Sequence, residues 1–402
     1  MSKAYKYVKK EGLFFLAYFL LGLTRVVIAN SYLFGVNRFK INEFVQYIAA
    51  FIFILSFCVG KYKMKELWIR LCAAIMVFLV TRQSHSIEFG LSALAVITCV
   101  NISSDKIVKN CIRNNIFFAS IVVIPALLGI IPNDVYSHEG MTAYSFGFAY
   151  YSNLPNLVFS IILAAYYSAK NKRRERIVLL ISVPVQIIMY KLGTVRLTYY
   201  LYLIFIVVAI ITQFCYNRRK KHKILIFVAT VMYPIACIAT IIASFVYQKS
   251  DILSKFNVML NYRLGFNAAG FSRYGINFFG TKLQATSETW DSNYINHYFY
   301  IDSGYVNSLI SYGIIFFIAL LIGYSFLSRY AVKNNQVKLG VWCLIICIYS
   351  VINNWLFNVA INPLPMIAFN FIWNSRAKKQ MSAKVRKENY GKILLYNSKY
   401  IK

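Results

Sequence analysis

The sequence predicts an all-α, polytopic membrane protein of about 12 transmembrane helices, and three observations carry that prediction. Of its 402 residues 59% are hydrophobic and only 14% are charged, where a soluble protein of this length carries about 25%. Runs without charge, such as 44–60, 177–189 and 224–246, recur along the chain. The 44 Lys and Arg residues collect in every second connection between such runs.

A helix needs roughly 20 apolar residues to cross ~30 Å of hydrocarbon, with about 17 as a lower limit. In lipid each backbone N–H and C=O must pair within its own segment, which selects helices over open strands. In chain order, spans are expected at 13–29, 44–60, 67–81, 87–100, 116–132, 154–169, 177–192, 197–216, 224–247, 302–327, 339–356 and 358–374. The first follows Lys9 and Lys10 and lacks a clean small-residue cleavage site, so it is read as retained rather than as a signal peptide. Spans 87–100 and 358–374 are short, which leaves tilted, re-entrant or shielded placements open for them. Residues 1–374 are expected to form one polytopic domain and 375–402 a basic cytoplasmic tail. No internal repeat is visible.

With the N-terminus inside, the inward connections together with Arg70 hold 33 of the 44 Lys and Arg residues. Cations retained on the cytoplasmic side set topology, so a multi-pass protein of the cytoplasmic membrane with both termini cytoplasmic is expected. The net charge of +31 then reflects anchoring and contact with anionic headgroups, not nucleic-acid binding. None of the eight Cys falls in an outward connection, so no disulfide framework is expected. No CxxC pair or His/Cys ligand cluster points to a metal, and no cofactor is called for.

Two outward connections exceed a turn: 133–153 and the large extracytoplasmic loop 248–301. Arg196, in TVRL, sits at the boundary of spans seven and eight, where it either snorkels to the interface or holds an anion in a cavity. Arg263, in NYRLGF, and Arg273, in GFSRYG, lie in the large loop. A guanidinium presents a planar fork of donors that matches phosphate oxygens, and three of them on the cation-depleted side suit a pyrophosphate held at the membrane surface. Asp302, opening DSGYVNSLISYG, is a first-turn acid favoured by the helix dipole, a base, or a partner that orients an Arg. On a helix Tyr305 shares its face. Asp291 and His297 are near in sequence, with ordinary loop polarity as the alternative. His138 and Glu139 precede Tyr144, Phe146, Phe148, Tyr150 and Tyr151, aromatics that either anchor the interface or stack on sugar rings. Glu88, early in span four, needs a partner, and Arg82 or Arg25 can supply it.

Taken in order, SNLPN (152–156), TVRL (194–197), NYRLGF (261–266) and DSGYVNSLISYG (302–313) resemble the bacterial polysaccharide repeat-unit polymerases, the Wzy-type enzymes of capsule, exopolysaccharide and O-antigen assembly. The motifs cover residues 140–325 and the topology covers the whole chain. The resemblance implies a glycosyltransferase-type enzyme that moves a growing glycan from a polyprenyl diphosphate to a hydroxyl of the next lipid-linked repeat, on the outer face. It implies Arg196 and Arg263 as the diphosphate-side cations and Asp302 and Tyr305 as groups lining the site. Arg196, Arg263 and Asp302 are thus the catalytic candidates; Tyr305, the motif residues Thr194, Asn261 and Asn156, and Arg273, added on its chemistry, are the substrate-binding ones. Many relatives carry His-Pro-Asn where this chain has Leu154-Pro155-Asn156, so that histidine's role does not carry over, and His138 and His297 are the candidates to replace it. Fixed Arg groups would stabilise the departing diphosphate without a divalent metal. The expected partners are the polyprenyl-diphosphate-linked oligosaccharide, membrane lipids, and the flippase and chain-length regulator of the same pathway. A lipid-linked oligosaccharide flippase, an O-antigen-ligase-like transferase and a non-catalytic export scaffold are the alternatives.

Overall fold

Near-continuous apolar sequence forms long helices, and serine or asparagine caps start many of them. A computed structural model describes residues 3–60, 62, 64–138, 141–215, 223–284 and 299–373. In order these form α1 (Lys3–Gly22), which continues as a π-helical turn over Leu23–Ile28, α2 (Arg38–Val59), α3 (Met64–Ser84), α4 (Ile87–Thr98) and α5 (Ser104–Leu127). A hairpin of β1 (Val135–His138) and β2 (Met141–Tyr144) follows, then α6 (Asn153–Ser168), α7 (Lys172–Gly193), α8 (Arg196–Cys215) and α9 (Lys223–Val246). Next come α10 (Asp251–Met259), α11 (Arg263–Tyr274), α12 (Gly304–Lys333), α13 (Val337–Tyr349) and α14 (Leu364–Trp373). Ser86, Ser103, Asn171, Ser250 and Ser303 each accept a hydrogen bond from the backbone N–H three residues on, satisfying a donor that the first helical turn leaves free.

Among the described residues eight helical stretches are long and apolar enough to cross a membrane: Lys10–Ile28, Arg38–Val59, Glu66–Ser84, Ser104–Leu127, Lys172–Gly193, Arg196–Phe214, Lys223–Lys249 and Gly304–Lys333. Their outward faces carry Phe51, Phe78, Leu180, Ile188, Phe214 and Phe227, all exposed. So much solvent-facing apolar surface is expected of a protein whose surroundings are lipid. Helices α4, α6, α13 and α14 are shorter, at 12, 16, 13 and 10 residues.

Three features depart from the sequence-based expectation. The connection 248–301, expected as a polar loop, contains helices α10 and α11. The connection 133–153 contains an antiparallel hairpin, with Val135 opposite Tyr144. And the apolar stretch expected as two spans over 339–374 is two short helices joined by irregular, largely buried backbone. That joint is rich in breakers, Asn353, Asn354, Asn358, Asn362 and Pro363, and Pro365 follows in the first turn of α14. Non-helical backbone survives inside a membrane protein only where its polar groups are met by protein or cavity. Here side chains meet them. Tyr18 donates to the Val359 carbonyl at 2.9 Å, Tyr324 to Leu356 at 2.8 Å, Asn115 to Ala360 at 3.2 Å and Asn362 to Trp355 at 2.9 Å.

Helix α12 is broken at Gly313, where φ is +80°. The irregular stretch 277–281 crosses the break: Thr281 N–H donates to the Ile310 carbonyl and Ile314 N–H to that of Asn277, both at 3.0 Å. A Cβ on Gly280 would lie 2.0 Å from the Ser311 carbonyl oxygen, so only glycine lets the two backbones pass this closely.

Contacts define two ends of the bundle. At one, Lys10 donates to the Val100 carbonyl at 2.9 Å, Lys106 pairs with Glu11 at 2.8 Å, and Lys338 reaches the Ala169 carbonyl. At the other, Gly304 N–H donates to the Ser350 carbonyl at 2.8 Å, fixing the start of α12 on the end of α13.

Candidate functional site

At this second end the sequence places Arg263 at the first position of α11 through an unusual turn. Asn261 and Tyr262 both adopt left-handed backbone, with φ of +51° and +61°. The side-chain carbonyl of Asn257, buried in α10, accepts from the N–H groups of Leu264 and Gly265 at 3.0 and 3.3 Å. It thereby caps α11 from the preceding helix. Asn267 donates to Ser244 at 3.2 Å and holds α11 against α9.

So placed, Arg263 donates from Nε to Asp302 Oδ2 at 2.9 Å and from Nη1 to the Ile352 carbonyl at 2.6 Å. The two side chains are 23% and 26% exposed, which leaves the pair open on one side. Guanidinium has five N–H donors; among the described residues two are engaged and three are not. Asp302 stands two residues before α12 rather than on it, with Ser303 as the cap. Burial pushes its carboxyl above the ordinary range, and the Arg263 charge and hydrogen bond oppose that shift.

Beside this pair lies a polar network. Asn156 Oδ1 accepts from Thr198 and from Tyr349, each at 2.6 Å, and Asn353 donates to the Tyr349 hydroxyl at 2.9 Å. Arg263 and Asp302 are both within electrostatic reach of that hydroxyl. Five distant stretches of chain therefore converge: the start of α6, the start of α8, the junction that opens α11, the junction that opens α12, and the end of α13 with its joint.

The sequence-predicted residues divide against this geometry. Arg263, Asp302 and Asn156 come together. Arg196 opens α8 two residues before Thr198, and its side chain is exposed at the same end. Thr194 is the left-handed residue, φ +51°, that closes α7, and its carbonyl accepts from Arg196 N–H at 3.0 Å. A Cβ at Gly193 would meet Pro155 at 2.7 Å, so that glycine lets TVRL lie against SNLPN. Asn261 belongs to the turn before α11 and is exposed.

Arg273 does not join the Arg263 pair. It lies ten residues further along α11, a rise of about 15 Å, and its guanidinium covers the Phe299 ring at 4.6 Å. There it lines a separate cleft of about 280 Å³ with Tyr247, Tyr262 and Phe266. Tyr305 is a correction of another kind: it is fully buried and donates to the Cys347 carbonyl at 3.0 Å, so it locks α12 to α13 instead of lining a site. Its face was misassigned because Asp302 is not helical. His138 ends β1, opposite Met141. His297, Asp291, Glu139 and the tail 375–402 lie outside the described residues.

Glu88 takes Arg25, not Arg82, as its partner. Tyr136, Tyr150 and Tyr151 form an aromatic cluster, with ring centroids of Tyr136 and Tyr151 5.4 Å apart and those of Tyr150 and Tyr151 4.5 Å apart. Thr198, Tyr349, Asn353 and the Ile352 carbonyl were not singled out by sequence reasoning. Thr198 is two residues from a motif arginine; the asparagine-interrupted apolar run 349–365 was the available signal for the others. No family model, curated protein or solved structure matches the chain.

Proposed function

We propose that the chain polymerises polyprenyl-diphosphate-linked oligosaccharide repeats on the outer face of the cytoplasmic membrane, with both termini cytoplasmic. The acceptor hydroxyl attacks the anomeric carbon of the donor glycan. The bond from that carbon to the diphosphate oxygen breaks, the polyprenyl diphosphate leaves with the developing negative charge, and the proton of the acceptor hydroxyl passes to water. The single observation supporting this reading is Arg263, fixed by Asp302 and the Ile352 carbonyl through two of its five donors, with no acceptor for the other three among the described residues. A guanidinium held before the charge develops needs no reorganisation when the diphosphate departs. Asp302 acts here as the group that orients Arg263. Arg196 is a second cation at the same end, and the tyrosines at 136, 150 and 151 offer ring faces to the apolar sides of sugars. Orientation follows from the 33 of 44 basic residues gathered on one side, which the cytoplasm retains.

Deletion in the source strain tests the reading. Lipid-linked single repeats are expected to accumulate on the outer face while long polymer disappears, and the Arg263→Ala chain is expected not to restore it. Repeats trapped on the inner face would instead mark a flippase.

A further inference from the structure

At the end of the bundle opposite Arg263, the α3 residue Arg70 is fully buried. Its guanidinium lies over the Tyr62 ring at 4.1 Å and over that of Trp373 at 4.7 Å. Aromatic rings attract a cation through their faces, so both contacts act on the flat faces of the guanidinium. The N–H donors point outward in its plane. Nε, Nη1 and Nη2 of Arg70 all lack a hydrogen-bond acceptor among the described residues. Glu66, one helical turn earlier, forms no ion pair with it there.

A second cation shares the place. Lys10 is buried, lies over the same Tyr62 ring at 5.6 Å, and uses one of its three donors on the Val100 carbonyl. Glu66 lies within electrostatic reach of Arg70 without pairing with it, and two buried cations with no contacting carboxylate among the described residues are costly unless an anion completes the set. A cleft of about 440 Å³ opens next to Val100 in sequence, lined by Asn101, Ser103, Ser104, Lys106, Asn370 and Phe371. Asn370 is one turn before Trp373 on α14 and donates to the Ile102 carbonyl, so the cleft adjoins the cation pair through Trp373 and Val100.

We propose that Arg70 and Lys10 form an anion site that takes a phosphate group, from an anionic phospholipid headgroup or from free phosphate. The aromatic pair fixes the plane of the fork, the fork engages two phosphate oxygens, and Lys10 adds a point charge. The site is separate from the Arg263 pair and stands whether or not the polymerase reading holds.

The test uses the full chain purified in a phosphate-free maltoside detergent. Native mass spectrometry measures retention of phosphatidylglycerol against a neutral diglucosyl diacylglycerol, and thermal unfolding is followed with added inorganic phosphate. With a headgroup as ligand, phosphatidylglycerol is retained over the neutral lipid, and Arg70→Gln reduces that retention about tenfold or more. With free phosphate as ligand, phosphate raises the unfolding midpoint of the wild type and not that of Arg70→Gln. Arg70→Lys keeps the buried charge but not the fork, and is expected to lose several-fold in whichever arm responds. It keeps the test decisive if the glutamine variant does not fold. The proposal is overturned if neither probe acts on the wild type, or if the Arg70 variants respond as the wild type does.

Discussion

Arg263 and Arg70 stand at opposite ends of the helix bundle and are held by opposite means. A carboxylate and a backbone carbonyl grip Arg263 through two of its own N–H groups, which fixes its direction and leaves the side chain partly exposed, its other three donors without an acceptor among the described residues. Two aromatic rings grip Arg70 through its faces, and its nitrogens lack acceptors among the described residues. Hydrogen bonds to charged groups are directional and strong, so the first arrangement suits chemistry in which charge appears at a defined atom. Ring faces attract without consuming donors, so the second suits recognition of an anion that arrives already charged.

The largest effect that separates the two is expected at Arg263. Replacing it with Ala should slow elongation of lipid-linked repeats by about 10²–10³-fold, the loss typical of removing one fixed donor from a developing oxyanion. Arg263→Lys should recover little, because a point charge cannot span both Asp302 and Ile352. Gel sizing of labelled product measures both. Asp302→Asn comes next, with an expected loss of about tenfold, since the amide still fills the position but no longer holds the guanidinium by charge. In the Arg263→Ala background the same change should add almost nothing, because the two residues act as a unit. Full additivity in that double-mutant cycle would break the pairing.

Smaller effects sharpen the contrast. Tyr349→Phe removes the hydroxyl that joins Asn156 to Asn353, and a loss of roughly 2- to 10-fold in elongation is expected from one such bond. Trp373→Leu takes one ring from Arg70 and should lower stability by about 0.5–2 kcal/mol, read as a fall in the unfolding midpoint, with elongation rate the parallel readout. A greater effect of Trp373→Leu on elongation than of Tyr349→Phe would contradict the separation of the two ends.

Much of this was legible in the sequence where one-dimensional pattern determines structure. Long apolar runs became helices, with eight stretches long enough to cross a membrane among the described residues, and of the two cations open as partners of Glu88, Arg82 and Arg25, the structure takes Arg25. The Arg263–Asp302 contact was open as one of three roles for the acid. What was not legible depends on three-dimensional folding of apolar sequence. The run 339–374 carries no Asp, Glu, Lys or Arg, yet its asparagines and prolines turn it into two short helices and a buried joint. Tyr349, Asn353 and the Ile352 carbonyl reach the site only through that joint. Arg273 was grouped with Arg263 by proximity in sequence, but α11 is helical, and ten residues of helix carry it about 15 Å away to Phe299. Buried Arg70 was counted as a topological anchor, since nothing in sequence brings Tyr62 and Trp373 to its two faces.

The most direct test of the central claim is reconstitution of the purified chain with a defined polyprenyl-diphosphate-linked repeat, followed by sizing of the products. Wild-type protein is expected to yield a ladder of lengthened glycans, and Arg263→Ala, inserted and folded to the same extent, only the starting repeat. A wild-type chain that leaves the repeat unextended, or an Arg263→Ala chain that builds the same ladder, would contradict it.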